Sequence, residues 1–170
     1  MRDFIAGFLA GAVILVLGML VCLRLGLKDV RADVPVPTWT GRLLYSGIHA
    51  SVRRTAPKSQ SPLPRGDQTL IAGGKLYLDD CVGCHGEPGK PPSKFGATFY
   101  PPAPQFPHVG TKYSEAEIFW VAKHGIRRTG MAAQGAFYKD EQLWSLAAFI
   151  AQMPNLPATV VKGIQQSPAN

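Results

Sequence analysis

The longest hydrophobic run, Phe4 to Leu23, holds no charged residue, and at 1.5 Å of rise per residue such a helix matches the hydrocarbon core of a bilayer. It predicts one transmembrane helix. A cleaved secretory signal competes, because Val30-Arg31-Ala32 loosely resembles a small-residue cleavage site. That run exceeds the usual hydrophobic region of about 7–15 residues, and charges separate it from the triplet. An uncleaved anchor over residues 1–28 is therefore expected.

Residues 29–66 are polar and proline-stiffened, with Pro35, Pro37, Pro57, Pro62 and Pro64 on the flanks. Between them Leu44, Ile48 and Val52 recur every fourth position with Tyr45 beside them, while Arg42, His49, Arg53 and Arg54 fall largely elsewhere. The spacing predicts a short amphipathic helix that starts near Thr38 or Thr40 and ends before Pro57. Its apolar stripe needs a cover: a membrane, a partner or the C-terminal domain. His49 is expected on the surface.

From residue 67 the pattern turns helical again. Ile71, Leu76 and Tyr77 fall near one face, and Leu143, Leu146, Ala147 and Ile150 form a second stripe at spacings of three and four; two such stripes bury each other. Ser114 with Glu117 three residues on predicts a capping box that opens a middle helix, and Gly125 ends it. A proline-rich loop runs from Pro91 to Pro107. No alternating or β-branched run precedes Cys81, so residues 67–156 read as an all-α domain and residues 157–170 as a flexible tail.

A length of 170 residues allows one such domain plus the preceding segments and excludes two large domains. With 17% charged residues and a mean hydropathy of +0.03, the chain is neither a charge-rich disordered protein nor a polytopic membrane protein. The net charge of +7 is uneven: residues 30–65 carry six bases against Asp33 alone, and residues 66–170 carry nine bases against eight acids. The basicity thus sits in the connecting segment, and no basic stripe interleaved with aromatics points to nucleic acid.

Three cysteines exclude a disulfide framework. Cys22 lies in the apolar run behind Leu20-Val21, not the small residues a lipoprotein signal requires, and reads as an inert side chain. Cys81-Val82-Gly83-Cys84-His85 reads C-x-x-C-H. Thiols at i and i+3 share one helical face and can reach the two vinyl groups of a haem, and the imidazole at i+4 is carried beneath the ring as a ligand to iron. A zinc site needs four ligands and a thioredoxin-like motif needs a βαβ unit; the sequence offers neither.

GGKLYLDDCVGCHG resembles the haem-binding N-terminal helix of class I c-type cytochromes, with Gly73 and Tyr77 eight and four residues before Cys81. The resemblance covers about residues 67–154 and extends to the proline-rich loop, to SEAEIFWVAKHGIRRTGM and to DEQLWSLAAFIAQMP. It implies a cytochrome c fold of three to four helices around one covalently bound haem c, with thioethers at Cys81 and Cys84 and His85 as proximal iron ligand. It further implies that the terminal helices cross with Gly73 against Phe149. A proline carbonyl would accept the imidazole N–H, and Pro101 and Pro102 leave that choice open.

For the distal ligand, Met19 lies in the membrane run and Met153 at the end of the last helix. Met131 follows Gly130 in the loop before that helix, where the resembling family places its thioether ligand. His108 and His124 are the alternatives and would give a bis-histidine haem of lower potential. Attachment in that family takes place outside the bacterial cytoplasmic membrane, which implies a cytoplasmic N-terminus and a periplasmic haem domain. The charges oppose this: only Arg2 and the α-amine precede the run, while Arg24, Lys28, Arg31 and Arg42 follow it.

With both axial positions filled, the expected role is single-electron transfer between redox partner proteins of the respiratory chain, not enzymatic catalysis. No nucleophile–base arrangement suggests otherwise. The alternative is a haem-bearing subunit docked permanently in a larger oxidoreductase or dehydrogenase complex. A haem sensor or peroxidase would require Met131 to be off the iron.

Overall fold

The computed structural model describes residues 1–27, 29–31, 34 and 37–166. Lys28 at the anchor's end, Ala32 of the cleavage-like triplet, Asp33, Pro35 of the linker and the last four residues of the expected tail lie outside the described residues. The chain divides into two units, Met1–Val34 and Pro35–Asn170. In the first, α1 (Arg2–Arg24) is one continuous helix whose side chains are all exposed, with a mean hydropathy of 2.7 over its most apolar 18 residues. By length and composition it can cross a membrane.

The second unit is built from α2 (Thr38–Thr55), α3 (Asp67–Asp80), α4 (Val82–His85), α5 (Phe106–Val109), α6 (Glu115–His124), α7 (Asp140–Gln152) and α8 (Ala158–Gln165). Among the described residues there is no strand, so the fold is all-α. Its centre is the crossing of α3 and α7. Tyr77, Leu143 and Ala147 are completely buried there, and the Tyr77 and Phe149 rings lie 5.6 Å apart, tilted by 49°. A side chain the size of Leu143 or Phe149 contributes about 1.5–3 kcal/mol by leaving water.

The close approach is made by glycines, though not as the resemblance implied. Gly73 faces backbone, since a Cβ on it would lie 2.0 Å from the Ser145 carbonyl oxygen. Phe149 packs at Gly74, where a Cβ would lie 2.9 Å from its ring. The aromatic therefore serves the second glycine of the pair and the main chain the first.

Helix α6 packs on the other side of α7. It starts in a capping box, in which the Ser114 hydroxyl accepts from the Glu117 amide and the Glu117 carboxylate accepts from the Ser114 amide, and Gly125 ends it at φ 65°. Phe119 stacks on Trp144 with centroids 4.1 Å apart. The Lys123 ammonium sits over the Phe119 ring at 5.5 Å and pairs with Asp140 at 2.7 Å.

The expected flexible tail is a correction. Its residues 158–165 form α8, with Val160 fully buried between Leu70 and Ala148 and with Ile71 filling the space beside Gly163. Val160, Gly163 and Ile164 follow the i, i+3, i+4 spacing of a buried stripe, and the Thr159 hydroxyl donates to Asp67 at 2.5 Å. Two turns after Pro157 are too few to signal a helix by periodicity, and tertiary packing supplies the stability.

The helix read between the linker prolines is α2, and its cover is the C-terminal domain. Val52 and Ala56 are buried, and Gly41 meets the Tyr100 hydroxyl at 3.0 Å from an added Cβ. His49, expected on the surface, is half-buried with its ring 4.9 Å from that of Tyr113. Leu44, expected on the covered stripe, is exposed.

Candidate functional site

Helix α3 delivers the C-x-x-C-H segment. Its last residue before the motif is Asp80, and Cys81 caps it with its amide bonded to the Tyr77 carbonyl at 2.9 Å. The chain then makes the single turn of α4, in which the His85 amide returns to the Cys81 carbonyl at 2.9 Å. Gly86 stops it at φ 86°, where a side chain would be strained. Cys81, Cys84 and His85 are thereby gathered on one turn, and both cysteines are free thiols. The buried Tyr77 hydroxyl donates to the Gly86 carbonyl at 2.6 Å and fixes the end of that turn.

Proline-rich residues 91–107 wrap the motif. The carbonyl that accepts from His85 Nδ1 is that of Pro104, at 2.9 Å, and not that of Pro101 or Pro102. With Nδ1 occupied, Nε2 is the nitrogen left to bind a metal. Phe106, on α5, stacks against the imidazole at 4.6 Å and 14°. Burial pushes the His85 pKa below its ordinary value, against the opposing pull of the Pro104 hydrogen bond, which favours the neutral ring, the form that ligates. Burial, with Asp80 and Cys84 adding to it, pushes the Cys81 thiol up to about 12.

Gln105 is the clamp that sequence reading missed. Its Nε2 donates to the Cys84 carbonyl at 2.9 Å and to the Ala103 carbonyl at 3.0 Å, while its Oε1 accepts from the Ser93 amide at 2.7 Å. Ser93 in turn donates to the Gly83 carbonyl at 2.5 Å. One signal was available: Gln105 is the sole side chain with both a donor and an acceptor in the stretch PPAPQFP.

Met131 stands on a separate loop, half-buried. Its carbonyl accepts from the Ile126 amide at 2.9 Å, its amide donates to the Thr129 hydroxyl at 3.1 Å, and a Cβ on Gly125 would lie 2.6 Å from the carbonyl oxygen. Glycine at that left-handed position is what lets the loop close. No hydrogen bond or ring contact found among the described residues joins Met131 to Cys81, Cys84 or His85. The ring of Phe99, from the proline-rich stretch, lies against Gly130 next to Met131. His108 and His124 are both exposed, the latter beside the Trp120 ring at 5.0 Å.

Two thiols and a neutral imidazole on one turn fit the attachment of a haem, and its axial thioether has a candidate in Met131. Among the described residues, no cluster of three or more His, Cys, Asp or Glu side chains is placed to hold a metal ion. Fold and motif together define a c-type cytochrome domain. Residues 68–150 match the family model described as cytochrome C oxidase, cbb3-type, subunit III, a c-type cytochrome domain. The match implies covalently bound haem c and haem-based electron transfer. No curated protein and no solved structure matches the chain.

Proposed function

We propose that the protein is a membrane-anchored, single-haem c-type cytochrome that passes single electrons between redox partners of the respiratory chain. The anchor would be α1, and the haem domain would lie in the bacterial periplasm. The observation that carries the reading is the C-x-x-C-H turn with His85 Nδ1 engaged by Pro104. Cys81 and Cys84 would form the thioethers, His85 would ligate through Nε2, and Met131 would ligate through its sulfur. Bound there, the haem supplies reversible one-electron iron chemistry.

The chain's own residues supply position. Tyr77 and Gln105 hold the end of the turn through the Gly86 and Cys84 carbonyls, Phe106 and Pro104 orient the imidazole, and Phe99 lies against Gly130 beside Met131. Each of these arrangements positions the haem-binding turn or the Met131 loop, which supports the reading of an electron carrier. The periplasmic placement rests on where covalent attachment is carried out, and it outweighs the basic residues that follow α1.

The test is an absorption spectrum, oxidised and reduced, of the detergent-extracted protein produced with cytochrome c maturation, followed by carbon monoxide. A sharp low-spin spectrum unmoved by carbon monoxide supports two protein ligands; a shifted one reopens sensing or catalysis. Replacing Cys81 and Cys84 by serine should remove haem from the denatured polypeptide, and retention would end the attachment assignment. A second reading, a fixed subunit of a larger oxidase, is favoured by the description of the matched family. Native size after gentle extraction separates the two, because a carrier migrates alone.

A further inference from the structure

Helix α2 has two unlike faces. Gly41, Ile48, His49, Val52 and Ala56 lie on the side turned to the domain. On a 100° wheel the opposite side is centred on Trp39, Leu43, Gly47 and Ala50, with Arg54 in line with them on the last turn and Arg42 and Arg53 at one border. This second face is apolar yet bare: Trp39 is 67% exposed and Leu43 63%. A tryptophan and a leucine one turn apart in water require a cover.

The charge on this helix identifies the cover. Residues 38–66 contain no acidic residue, and none of the ion pairs found among the described residues uses Arg42, Arg53 or Arg54. Unpaired guanidinium groups around a Trp-Leu face are what an anionic lipid surface attracts: phosphate headgroups meet the cations while the apolar ring and leucine enter the acyl boundary. The chain also carries α1, a helix able to cross a bilayer, and the connecting residues 25–37 have a contour of about 45 Å. A lipid surface within that reach requires no diffusional encounter.

We propose that the outer face of α2, centred on Trp39 and Leu43, lies on the anionic surface of the membrane that α1 crosses. The helix then acts as an adaptor, its inner face gripping the haem domain and its outer face gripping lipid. The proposal rests on the anchor reading and not on the identity of the haem ligands.

The test uses the full, haem-loaded chain with Cys22→Ser and one reporter cysteine, Leu43→Cys or Ala50→Cys on the bare face or Lys75→Cys on the exposed side of α3. Each carries an environment-sensitive fluorophore in nanodiscs containing nitroxide-labelled lipid, with or without anionic lipid. Quenching at position 43 should exceed that at position 75 by about twofold or more in anionic nanodiscs. It should fall when Arg42, Arg53 and Arg54 are all replaced by glutamine, and position 50 should follow position 43.

Equal quenching at 43 and 75 overturns the proposal and leaves the face to a protein partner. A chain that fails to enter nanodiscs overturns it together with the anchor. Label taken up by a chain lacking any reporter cysteine instead exposes free Cys81 or Cys84, a failure of the haem reading alone.

Discussion

Gly73 should be a position where one added methyl group destabilises the helix crossing. An alanine there places its Cβ 2.0 Å from the Ser145 carbonyl oxygen, 2.4 Å from the carbonyl carbon and 2.9 Å from the Leu146 nitrogen. All three are backbone atoms of α7, so no rotamer relieves the clash and the helices must part. A gap of about 1 Å forfeits up to half of the dispersion energy of each contact across the crossing, and overpacked cores lose about 1–3 kcal/mol. Alanine returns at most about 1 kcal/mol through helix propensity, which leaves a net loss of about 2 kcal/mol.

Gly74 is the internal control. Two of the three nearest atoms to its added Cβ belong to the Ile164 side chain, at 2.3 and 2.9 Å, and that side chain can turn away. Gly74→Ala should therefore cost about 1 kcal/mol or less. Urea unfolding of the haem-loaded protein, followed by far-ultraviolet circular dichroism, measures both at unchanged m-value. Gly73→Ala as stable as the parent, or Gly74→Ala the more damaging, would refute backbone contact as the reason for glycine at 73.

Met131→Ala should lower the reduction potential and open the iron to carbon monoxide; an unchanged potential in redox titration would point to another ligand. Gln105→Leu strands the Ser93 amide and the Cys84 carbonyl, at about 1–3 kcal/mol for each unsatisfied group, and a denaturation midpoint equal to the parent's would show that water replaces the clamp. Tyr138 donates to the Asp80 carboxylate, which with some burial pushes its phenol up to about 12. A raised folded-state pKa gives stability that is complete below pH 10 and lost as pH rises toward 12. Tyr138→Phe should flatten that alkaline decline, and identical pH profiles would mean that the hydrogen bond does not form in solution.

What the sequence made legible is what has a short period. The C-x-x-C-H spacing, the Ser114–Glu117 capping box and the stripe on α7 are local patterns, and a helix repeats them every three or four residues. What it hid is non-local. Nothing in PPAPQFP says which carbonyl meets His85, because proline-rich loops have no repeat and the choice of Pro104 depends on where Gln105 finds the Cys84 carbonyl. Val160 reads as one valine in a short tail until Leu70 and Ala148, far away in sequence, form its pocket. The error over His49 has the same origin: a titratable ring on a basic segment reads as solvated, and only Tyr113 on another element turns it inward.

The proline-rich loop links the parts of this molecule that matter to one another. Pro104 and Gln105 hold the His85 turn, Phe99 leans on Gly130 beside Met131, and Tyr100 reaches Gly41 of α2 with its hydroxyl buried and without a hydrogen-bond partner among the described residues. Proline fixes φ along much of this stretch, so its residues are poorly able to move independently. The linker is thus partly a docked helix pressed on the same loop that orients the imidazole. The consequence is mechanical: whatever surface holds α2 also limits the orientations that the haem domain can present to a redox partner.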